Sequence, residues 1–437
     1  MSVAGAVVTL LALLVAPYTP AAAQRERATL RFDRAWRFHL GDVPGAQEGT
    51  FDDSGWRTLN LPHDWSIEGE FSDTNPAGAG GGALPGGVGW YRKTFSVADR
   101  DTGRLVFVEF DGVYRNSEAW INGHYLGKRP YGYSSFSYGL RPHLRYGLAG
   151  NVIAVRVDNS QQPNSRWYSG SGIYRHVRLV TTDPVHVDHW GSYVTTPEVT
   201  AASARVTIRT TVRNASQADQ PITLRTVLYD AAGKEVAAAT AEARVPRDSV
   251  TDIAQDLVIR SPALWSLERP YLYRAVSRVL CGGRTCDDYS TPFGVRTFVF
   301  DPDRGFILNG KQLKIRGVCL HHDLGALGAA VNTRALERQL QIMRDMGVNA
   351  LRTSHNPPAP ELLDLTDRMG FIVLDEAFDM WKKEKTKYDY HLDWDAWHVR
   401  DLSDMVQRDR NHPSVFIWSI GNEVMEQWTN EIGRAHV

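Results

Sequence analysis

Cysteine is scarce in this sequence, which has three cysteines among 437 residues, few for an exported protein. Cys281 and Cys286 are separated by four residues, a spacing that fits either a local disulfide across a hairpin or two plain thiols. A second pair of ligands is missing, which argues against a metal knuckle. Cys319 lies in an apolar run and is predicted to be a buried hydrophobic residue.

An excess of charge of one sign is also absent. The formal net charge is −1 at pH 7, and the sequence contains no basic stripe. Nucleic acid is therefore not an expected partner.

Long hydrophobic runs are missing as well. The run at 7–15 is too short to span a bilayer, and no second one follows. No lysine or arginine precedes it, but residues 21–23 provide an A-x-A cleavage signal before Gln24. We predict a signal peptide over residues 1–23 and a mature protein that is soluble, free of the membrane, and secreted or periplasmic.

Hydrophobic residues and tryptophan are plentiful, at 43% of the chain and 13 residues, enough for several cores. Residues 24–183 contain short alternating runs, such as 105–110 and 152–157, between Gly, Asn and Asp turns, and predict an all-β sandwich. The stretch 164–175 is dense in polar and aromatic side chains. Either turn chemistry with core tryptophans or a sugar-facing rim explains it, and the pattern alone favours the former.

Residues 184–293 alternate at about period two in the runs 206–212 and 222–229. Turn signals follow at Asn214 and at 230–233. The pattern predicts an immunoglobulin-like β-sandwich. This domain contains no cluster of titratable groups, so we interpret it as a spacer.

From residue 294 predicted strands and helices alternate, with polar groups after each strand. Such alternation predicts a (β/α)₈ TIM barrel. The predicted strands cover 313–320, 348–352, 371–374 and 415–420, and the predicted helices cover 333–346, 361–369 and 395–408.

This barrel domain, 294–430, is only about half of the ~250 residues that a complete barrel needs. We therefore expect the N-terminal half of a barrel, with four of its eight strands. The last seven residues, 431–437, can be encoded by sequencing-adapter DNA, and we interpret them as a non-native tail.

The fourth predicted strand ends in an amide and a carboxyl group. Its nearly unbroken apolar run predicts a strand that is buried on both faces, and Gly421, Asn422 and Glu423 follow it. In parallel α/β barrels this end of the strands carries the chemistry, and burying a carboxylate there is costly without a function. We interpret Glu423 as a catalytic acid.

Two segments carry a resemblance to a known family. Residues 349–357, continuing through Asp367 to 370–374, and residues 409–423 resemble the signatures of glycoside hydrolase family 2, which includes β-galactosidases, β-glucuronidases and β-mannosidases. The order of a jelly-roll-like sugar-binding sandwich, an immunoglobulin-like domain and a barrel resembles that family over nearly the whole chain. Asn356 departs from the usual tyrosine, which bears on substrate choice.

The resemblance implies a retaining glycosidase, which uses two carboxyl groups about 5–5.5 Å apart. Glu423 matches the general acid/base, and Asn422 matches the residue that hydrogen-bonds the sugar 2-hydroxyl. Arg352 matches the arginine that keeps the nucleophile ionised.

Further substrate-binding residues are implied in the same way. His321 and His355 match the pair that donates to hydroxyls of the sugar to be released, and the adjacent His322 is the alternative to His321. Trp381 either stacks on sugar or packs against the protein.

The implied nucleophile is a glutamate on the seventh barrel strand, and it is absent from this sequence. Asp375 and Glu376 are the nearest acidic residues, and the resemblance makes them structural residues or residues that support the site residues from behind. The segment 378–381 lacks the acid and histidine with which lactose-type galactosidases bind magnesium. No metal and no other cofactor is expected.

We therefore expect an exo-β-glycosidase that removes terminal β-D-galactosides from oligo- or polysaccharides, with a carbohydrate as its partner. This chain itself is expected to be inactive without the nucleophile. A β-glucuronidase or β-mannosidase of the same family stays an alternative, as does a non-catalytic carbohydrate-binding or adhesin-type protein. The identity of the sugar, the aglycone and assembly into a homo-oligomer stay open.

Overall fold

A computed structural model describes residues 27–428 of the chain. The predicted signal peptide, residues 1–23, and the predicted tail, residues 431–437, lie outside the described residues. None of the helices within the described range is both long and apolar enough to cross a membrane.

The first domain is an antiparallel β-sandwich. Its strands are β1 (Ala28–Arg31), β2 (Trp36–Leu40), β3 (Arg57–Leu59), β4 (Gly87–Phe95), β5 (Leu105–Phe110), β6 (Ser117–Ile121), β7 (His124–Arg129), β8 (Phe136–Gly139), β9 (Asn151–Asn159) and β10 (Val177–Thr182). They form one sheet of order β1-β10-β5-β8 and another of order β3-β2-β4-β9-β6-β7. Buried and partly exposed residues alternate along β5, because successive side chains point to opposite faces of a strand. The inward faces form one core that includes Trp36, Tyr91 and Val108.

The second domain is a smaller sandwich, and the predicted immunoglobulin-like class is confirmed. Its strands are β11 (Val185–Val199), β12 (Ser203–Asn214), β13 (Gln220–Tyr229), β14 (Glu235–Val245), β15 (Ser249–Arg260), β16 (Tyr273–Cys281) and β17 (Arg284–Phe293). The sheet β11-β12-β15 packs on the sheet β14-β13-β16-β17. A disulfide joins Cys281 and Cys286 across the β16–β17 hairpin, one of the two arrangements that the spacing left open.

The third domain begins with an antiparallel ribbon of β18 (Phe298–Asp301), β19 (Gly305–Leu308) and β20 (Lys311–Gln312). A parallel sheet follows, with β21 (Gly317–Leu320), β22 (Ala350–Thr353), β23 (Ile372–Glu376) and β24 (Val415–Ser419) in sequential order. The helices α1 (Thr333–Asp345), α2 (Pro360–Met369) and α3 (Trp394–Asp409) connect these strands. This succession is the predicted first half of a barrel.

Local signals explain where the helices begin and end. The side chain of Asn332 accepts a hydrogen bond from the Ala335 amide at 3.0 Å and caps α1. Gly370 ends α2 with a φ of +72°, and a Cβ at this position would lie 2.2 Å from the Leu267 carbonyl oxygen. Glycine is therefore required there for both conformation and space.

Three predictions about the parallel sheet are wrong. Only the second half of the predicted strand 313–320 is a strand, β21, because residues 313–316 connect the antiparallel ribbon to the parallel sheet. Cys319 is exposed, not buried. The fourth strand is not buried on both faces, since 37% of the Trp418 surface is exposed to solvent. Both β21 and β24 are edge strands of the described sheet, so one side of each lacks a neighbouring strand among residues 27–428.

Hydrogen bonds attach the barrel strands to both sandwiches. Arg175 of the first sandwich is fully buried and donates to the carbonyls of Pro357 and Pro358, just after β22. Asn411, before β24, exchanges hydrogen bonds of 2.8 and 2.9 Å with Ser192 and Val194 of β11. The mouth of the barrel is therefore fixed relative to the first sandwich, and β24 relative to the second.

Candidate active site

Parallel pairing brings the polar ends of β22, β23 and β24 together. Arg352 pairs with Leu374 in the strand register, and Glu376, two residues further on, pairs with Ser419. Side chains two residues apart lie on the same face of a strand. Arg352, Glu376 and Ser419 therefore converge on one face, at the carboxyl edge of the sheet.

Glu376 is the centre of this cluster. Arg352 donates through Nε and Nη2 to its carboxylate at 2.9 to 3.2 Å. Ser419 Oγ donates to it at 2.6 Å, and His355 Nδ1 lies 2.6 Å from Oε1. Burial raises the pKa of Glu376, but the hydrogen bonds from His355, Ser419 and Arg352 lower it by more, so the net shift is downward. Glu376 is ionised and fixes the positions of the Arg352 and His355 side chains.

Asn422 is attached to the same cluster with a defined orientation. Its Oδ1 accepts from Arg352 Nη2 at 2.7 Å, and its Nδ2 donates to Asp379 Oδ1 at 2.8 Å. A cation needs the amide oxygen and a carboxylate needs the amide nitrogen, so the two ends of the side chain are not interchangeable.

Glu423 follows Asn422 at the rim. Its φ is +43°, a left-handed conformation that costs a non-glycine residue about 1 kcal/mol. Its side chain is 71% exposed, and Arg166 Nη2 lies 3.8 Å from Oε2. The expectation of a buried carboxylate at this strand end is wrong, because β24 is an edge strand in the described sheet. The buried carboxyl groups near this edge are Asp375, Glu376 and Asp379.

His321 and His355 lie side by side, with ring centroids 5.5 Å apart. Burial lowers the pKa of His321, and the charge of His355 lowers it further, so its imidazole is neutral at pH 7. Its buried Nδ1 has no hydrogen-bond partner among residues 27–428. The Ser354–His355 peptide bond is cis.

His322, the alternative to His321, points away from this pair. Its Nε2 lies 3.3 Å from the Ser169 carbonyl, and its ring packs on Tyr133 and Tyr174. Burial lowers its pKa to about 3. The geometry therefore places His321, not His322, beside His355.

Trp381 supports the segment that carries the acid. Its Nε1 donates to the Ile420 carbonyl at 2.8 Å, and its ring packs at 5.8 Å against Trp394. A Cβ on Gly421 would lie 2.7 Å from Trp381 Nε1, so Trp381 packs closely under this turn. Stacking of Trp381 on sugar stays a prediction.

The first sandwich contributes two residues that the sequence pattern did not single out. Trp167 stacks on His321 at 5.0 Å and meets His355 edge-on at 5.5 Å. Arg166 forms a bidentate ion pair with Asp379 at 2.6 and 2.9 Å. Both lie in the polar and aromatic stretch 164–175, whose composition was the available signal. Composition could not distinguish this placement from ordinary turn chemistry.

A cavity lies between the first sandwich and the barrel beside these residues. Trp167, His355 and Asp379 line it together with Tyr114 and Tyr133. Glu423 is not among its lining residues. Arg352, Asn422, His355 and His321 thus form a connected group, with Glu423 at its exposed edge.

The segment after β23 is used for ion pairs. Asp379 binds Arg166 and Lys385, and residues 27–428 contain no group of three His, Cys, Asp or Glu side chains arranged to bind an ion. Burial raises the pKa of Asp375 well above its ordinary value, and the charge of the neighbouring Asp409 raises it further.

Comparisons with known proteins identify the family. Three sequence models match, described as "Glycosyl hydrolases family 2, sugar binding domain" over residues 31–183, "Glycosyl hydrolases family 2" over 185–296, and "Glycosyl hydrolases family 2, TIM barrel domain" over 302–433. The chain belongs to glycoside hydrolase family 2.

Several family 2 proteins are similar over most of this chain. Beta-galactosidase BoGH2A of Bacteroides ovatus is 57% identical over 93% of this chain and 47% of its own length. A beta-glucuronidase of Formosa agariphila is 30% identical over 91% of this chain and 42% of its own. The crystal structure of a family 2 member from Bacteroides cellulosilyticus superposes with a TM-score of 0.90 and 42% identity, covering 92% of this chain and 53% of that one. The chain thus spans about half the length of the relatives it matches.

Proposed function

We propose that the protein containing this sequence is a retaining exo-β-glycosidase that releases terminal β-D-galactosyl residues from oligo- or polysaccharides. The observation that carries the proposal is the cluster at the carboxyl ends of β22–β24. There Arg352 is hydrogen-bonded to both Glu376 and Asn422, and Glu423 follows Asn422 directly. The similarity to a β-galactosidase at 57% identity supports this choice of sugar.

In the proposed mechanism Glu423 acts twice. First, its carboxyl proton moves to the glycosidic oxygen while the bond from that oxygen to the anomeric carbon breaks and a carboxylate nucleophile attacks the same carbon. Later, the Glu423 carboxylate takes a proton from the water that displaces the nucleophile. The nucleophile would come from a later barrel strand.

The remaining residues would bind the sugar. Asn422 would hydrogen-bond the 2-hydroxyl, an interaction that strengthens as the transition state develops. The neutral His321 and the adjacent His355 would donate to other hydroxyls. Trp167 forms an aromatic wall beside both histidines, a surface suited to the apolar face of a sugar ring.

The test is a kinetic panel on the full-length gene product with aryl β-galactoside, β-glucuronide and β-mannoside. We expect kcat/KM to be highest for the galactoside. Glu423→Gln should lower kcat/KM for a phenyl galactoside by about 10²- to 10⁴-fold, the usual contribution of a general acid. For a 2,4-dinitrophenyl galactoside, whose leaving group needs no proton, the kcat/KM of Glu423→Gln should fall far less.

The matched control is Glu384→Gln, which changes a carboxylate that is 65% exposed in the loop after β23 and should leave activity unchanged. Sodium azide should restore turnover of dinitrophenyl galactoside by Glu423→Gln and yield β-galactosyl azide, because azide needs no general base. Full activity of Glu423→Gln on phenyl galactoside would reject the proposal. So would binding of galactose by the wild type without turnover, the outcome expected of an adhesin.

A β-glucuronidase is the second candidate, because a relative with that name matches 91% of this chain. Preference for the aryl glucuronide in the same panel would select it.

We further propose export to the periplasm or medium. The support is the apolar run and A-x-A signal of residues 1–23. Mass spectrometry of the secreted or periplasmic protein should find a mature chain that starts at Gln24, and a cytoplasmic protein that keeps residues 1–23 would contradict export.

A further inference from the structure

The first sandwich places a cation at the rim of the barrel. Arg166 lies in the loop between β9 and β10, and its Nε and Nη2 donate to the two oxygens of Asp379 at 2.9 and 2.6 Å. The pair joins two domains, since Asp379 follows β23 of the barrel. A bidentate arginine–carboxylate pair fixes the relative orientation of its partners as well as their distance.

Asp379 passes this restraint to Asn422. The Asp379 side chain is 2% exposed, and besides Arg166 it accepts from Asn422 Nδ2 at 2.8 Å and from Lys385 Nζ at 3.0 Å. Lys385 Nζ also donates to the backbone carbonyl of Asn422 at 2.5 Å. The backbone and the amide of Asn422 are therefore both attached to the group that Arg166 binds.

Arg166 also reaches the proposed acid directly. Its Nη2 lies 3.8 Å from Glu423 Oε2, and within the described part of the chain it is the only cation found within 4 Å of that carboxylate. Glu423 is otherwise exposed and has a left-handed backbone. A long, flexible and exposed side chain needs a neighbour to limit its rotamers, and Arg166 is placed to do so.

We propose that Arg166 is a positioning residue that orients Glu423 for proton transfer, directly and through Asp379 and the backbone of Asn422, so that the first sandwich controls the acid step of a site built on the barrel. The inference rests on the proposed function. Arg166 itself gains and loses no bond. It limits where the Glu423 carboxyl group points when its O–H bond breaks and the leaving oxygen takes the proton.

The test uses the dependence of rate on the leaving group, measured on the full-length gene product. Arg166→Gln should lower kcat/KM for phenyl β-galactoside by about 10²-fold, a part of what general acid catalysis contributes, and for the 2,4-dinitrophenyl galactoside by less than about threefold. Arg166→Lys keeps a charge but loses the bidentate geometry, and should fall between wild type and Arg166→Gln. A general loss of structure would reduce both substrates equally.

Arg178→Gln is the matched control. Arg178 is another partly exposed arginine of the first sandwich that pairs with the barrel, at 3.6 Å from Glu361 of α2. Within residues 27–428 none of its contacts is with a residue of the proposed site. Its loss should leave the ratio of the two substrates unchanged. If Arg166→Gln does not fold, Arg166→Lys takes its place. Its kcat/KM must then fall more for the phenyl galactoside than for the 2,4-dinitrophenyl galactoside.

The two ideas fail differently. A wild-type protein without turnover of any aryl glycoside refutes the proposed function and this inference with it. An active wild type whose Arg166 variants lose equally on both galactosides, or lose nothing, refutes the role of Arg166 alone.

Discussion

At the scale of single residues, Glu376 connects the side chains of the proposed site. Asn422 and Arg352 were predicted to lie in one site, and they are in contact at 2.7 Å. Glu376 is interpreted from the resemblance as a structural or supporting residue, and it anchors two of the proposed substrate-binding residues, Arg352 and His355. Its partners come from β22, the loop after it, and β24. Such a set depends on strand register, which local pattern does not specify.

Removing the charge of Glu376 should destabilise this site strongly. Glu376→Gln removes the charge of a fully buried carboxylate and leaves the partly exposed Arg352 without its ion-pair partner, and we expect a loss of about 1.5–3 kcal/mol in the free energy of unfolding. Glu337→Gln, which changes a surface pair on α1, should cost less than about 1 kcal/mol. Urea denaturation followed by tryptophan fluorescence measures both.

The same variant should change the dependence of stability on pH. The pKa of Glu376 is lowered from its ordinary value of 4.5, so its stabilisation is present above pH 4.5 and is lost as the pH falls through the lowered pKa. The difference in the free energy of unfolding between wild type and Glu376→Gln should therefore become smaller in acid. A difference that stays constant down to pH 3 would show that the carboxylate charge is not responsible for the stabilisation.

At the scale of elements, the segment before β24 is a connector. Asn411 binds β11, while Asp367 of α2 accepts from the Ser414 amide at 3.0 Å and lies 2.6 Å from His412 Nδ1. The motif 409–423 thus combines two roles. Its first half fixes the entry of β24 against α2 and the second sandwich, and its second half carries Asn422 and Glu423.

The pairing of His412 with Asp367 should make this connector sensitive to alkali. Burial lowers the pKa of His412, but the charge and hydrogen bond of Asp367 raise it by more, to about 9. Stabilisation by a raised pKa is complete below the ordinary value of 6.5 and is lost as the pH rises through about 9. A shift of this size corresponds to about 3 kcal/mol.

We therefore expect the Tm of the wild type to fall between pH 6.5 and 9.5 by more than that of His412→Gln. His39→Gln, a change at an exposed histidine of β2, is the control and should follow the wild type. Parallel curves for wild type and His412→Gln would contradict the assignment.

The sequence predicted the elements well wherever the signal was local. Alternation predicted β5 and β12, and apolar spacing with Asn332 and Gly370 predicted α1 and α2 to within two residues. It failed where the outcome depends on neighbours distant in sequence. Cys319 and Trp418 lie in apolar runs of the sequence, but their strands are at the edges of the described sheet. Arg166 contacts the barrel from a loop whose composition is that of an ordinary turn.

At the scale of the whole molecule, buried arginines of the first sandwich connect it to the barrel domain. Arg129 pairs with Asp401 and Asp404 of α3, and Arg115 pairs with Asp393 just before it. Arg175 has no ion-pair partner in the described part of the chain and donates to four carbonyls, those of Asp111, Tyr133, Pro357 and Pro358. Guanidinium groups suit this purpose because five donors diverge from one rigid plane.

Arg175→Met should uncouple the domains. The substitution fills similar space but removes the side-chain donor of the Tyr133 carbonyl, at a cost of about 1–3 kcal/mol if water cannot replace it. The carbonyls of Asp111, Pro357 and Pro358 keep donors from other side chains, but the two at Pro357 and Pro358 lose their link to the first sandwich. Backbone amide hydrogen exchange should therefore become faster in β22, which leads into the loop that Arg175 binds, and in β23, which pairs with β22. Exchange should stay unchanged in β12 and β13 of the second sandwich. Arg213→Met, which breaks a partly exposed ion pair within the second sandwich, is the control. It should leave hydrogen exchange in β22 and β23 unchanged, and any acceleration should be confined to the second sandwich. Equal acceleration in all three domains after Arg175→Met would mean that the molecule unfolds as one unit, and that this arginine stabilises the whole chain rather than the junction.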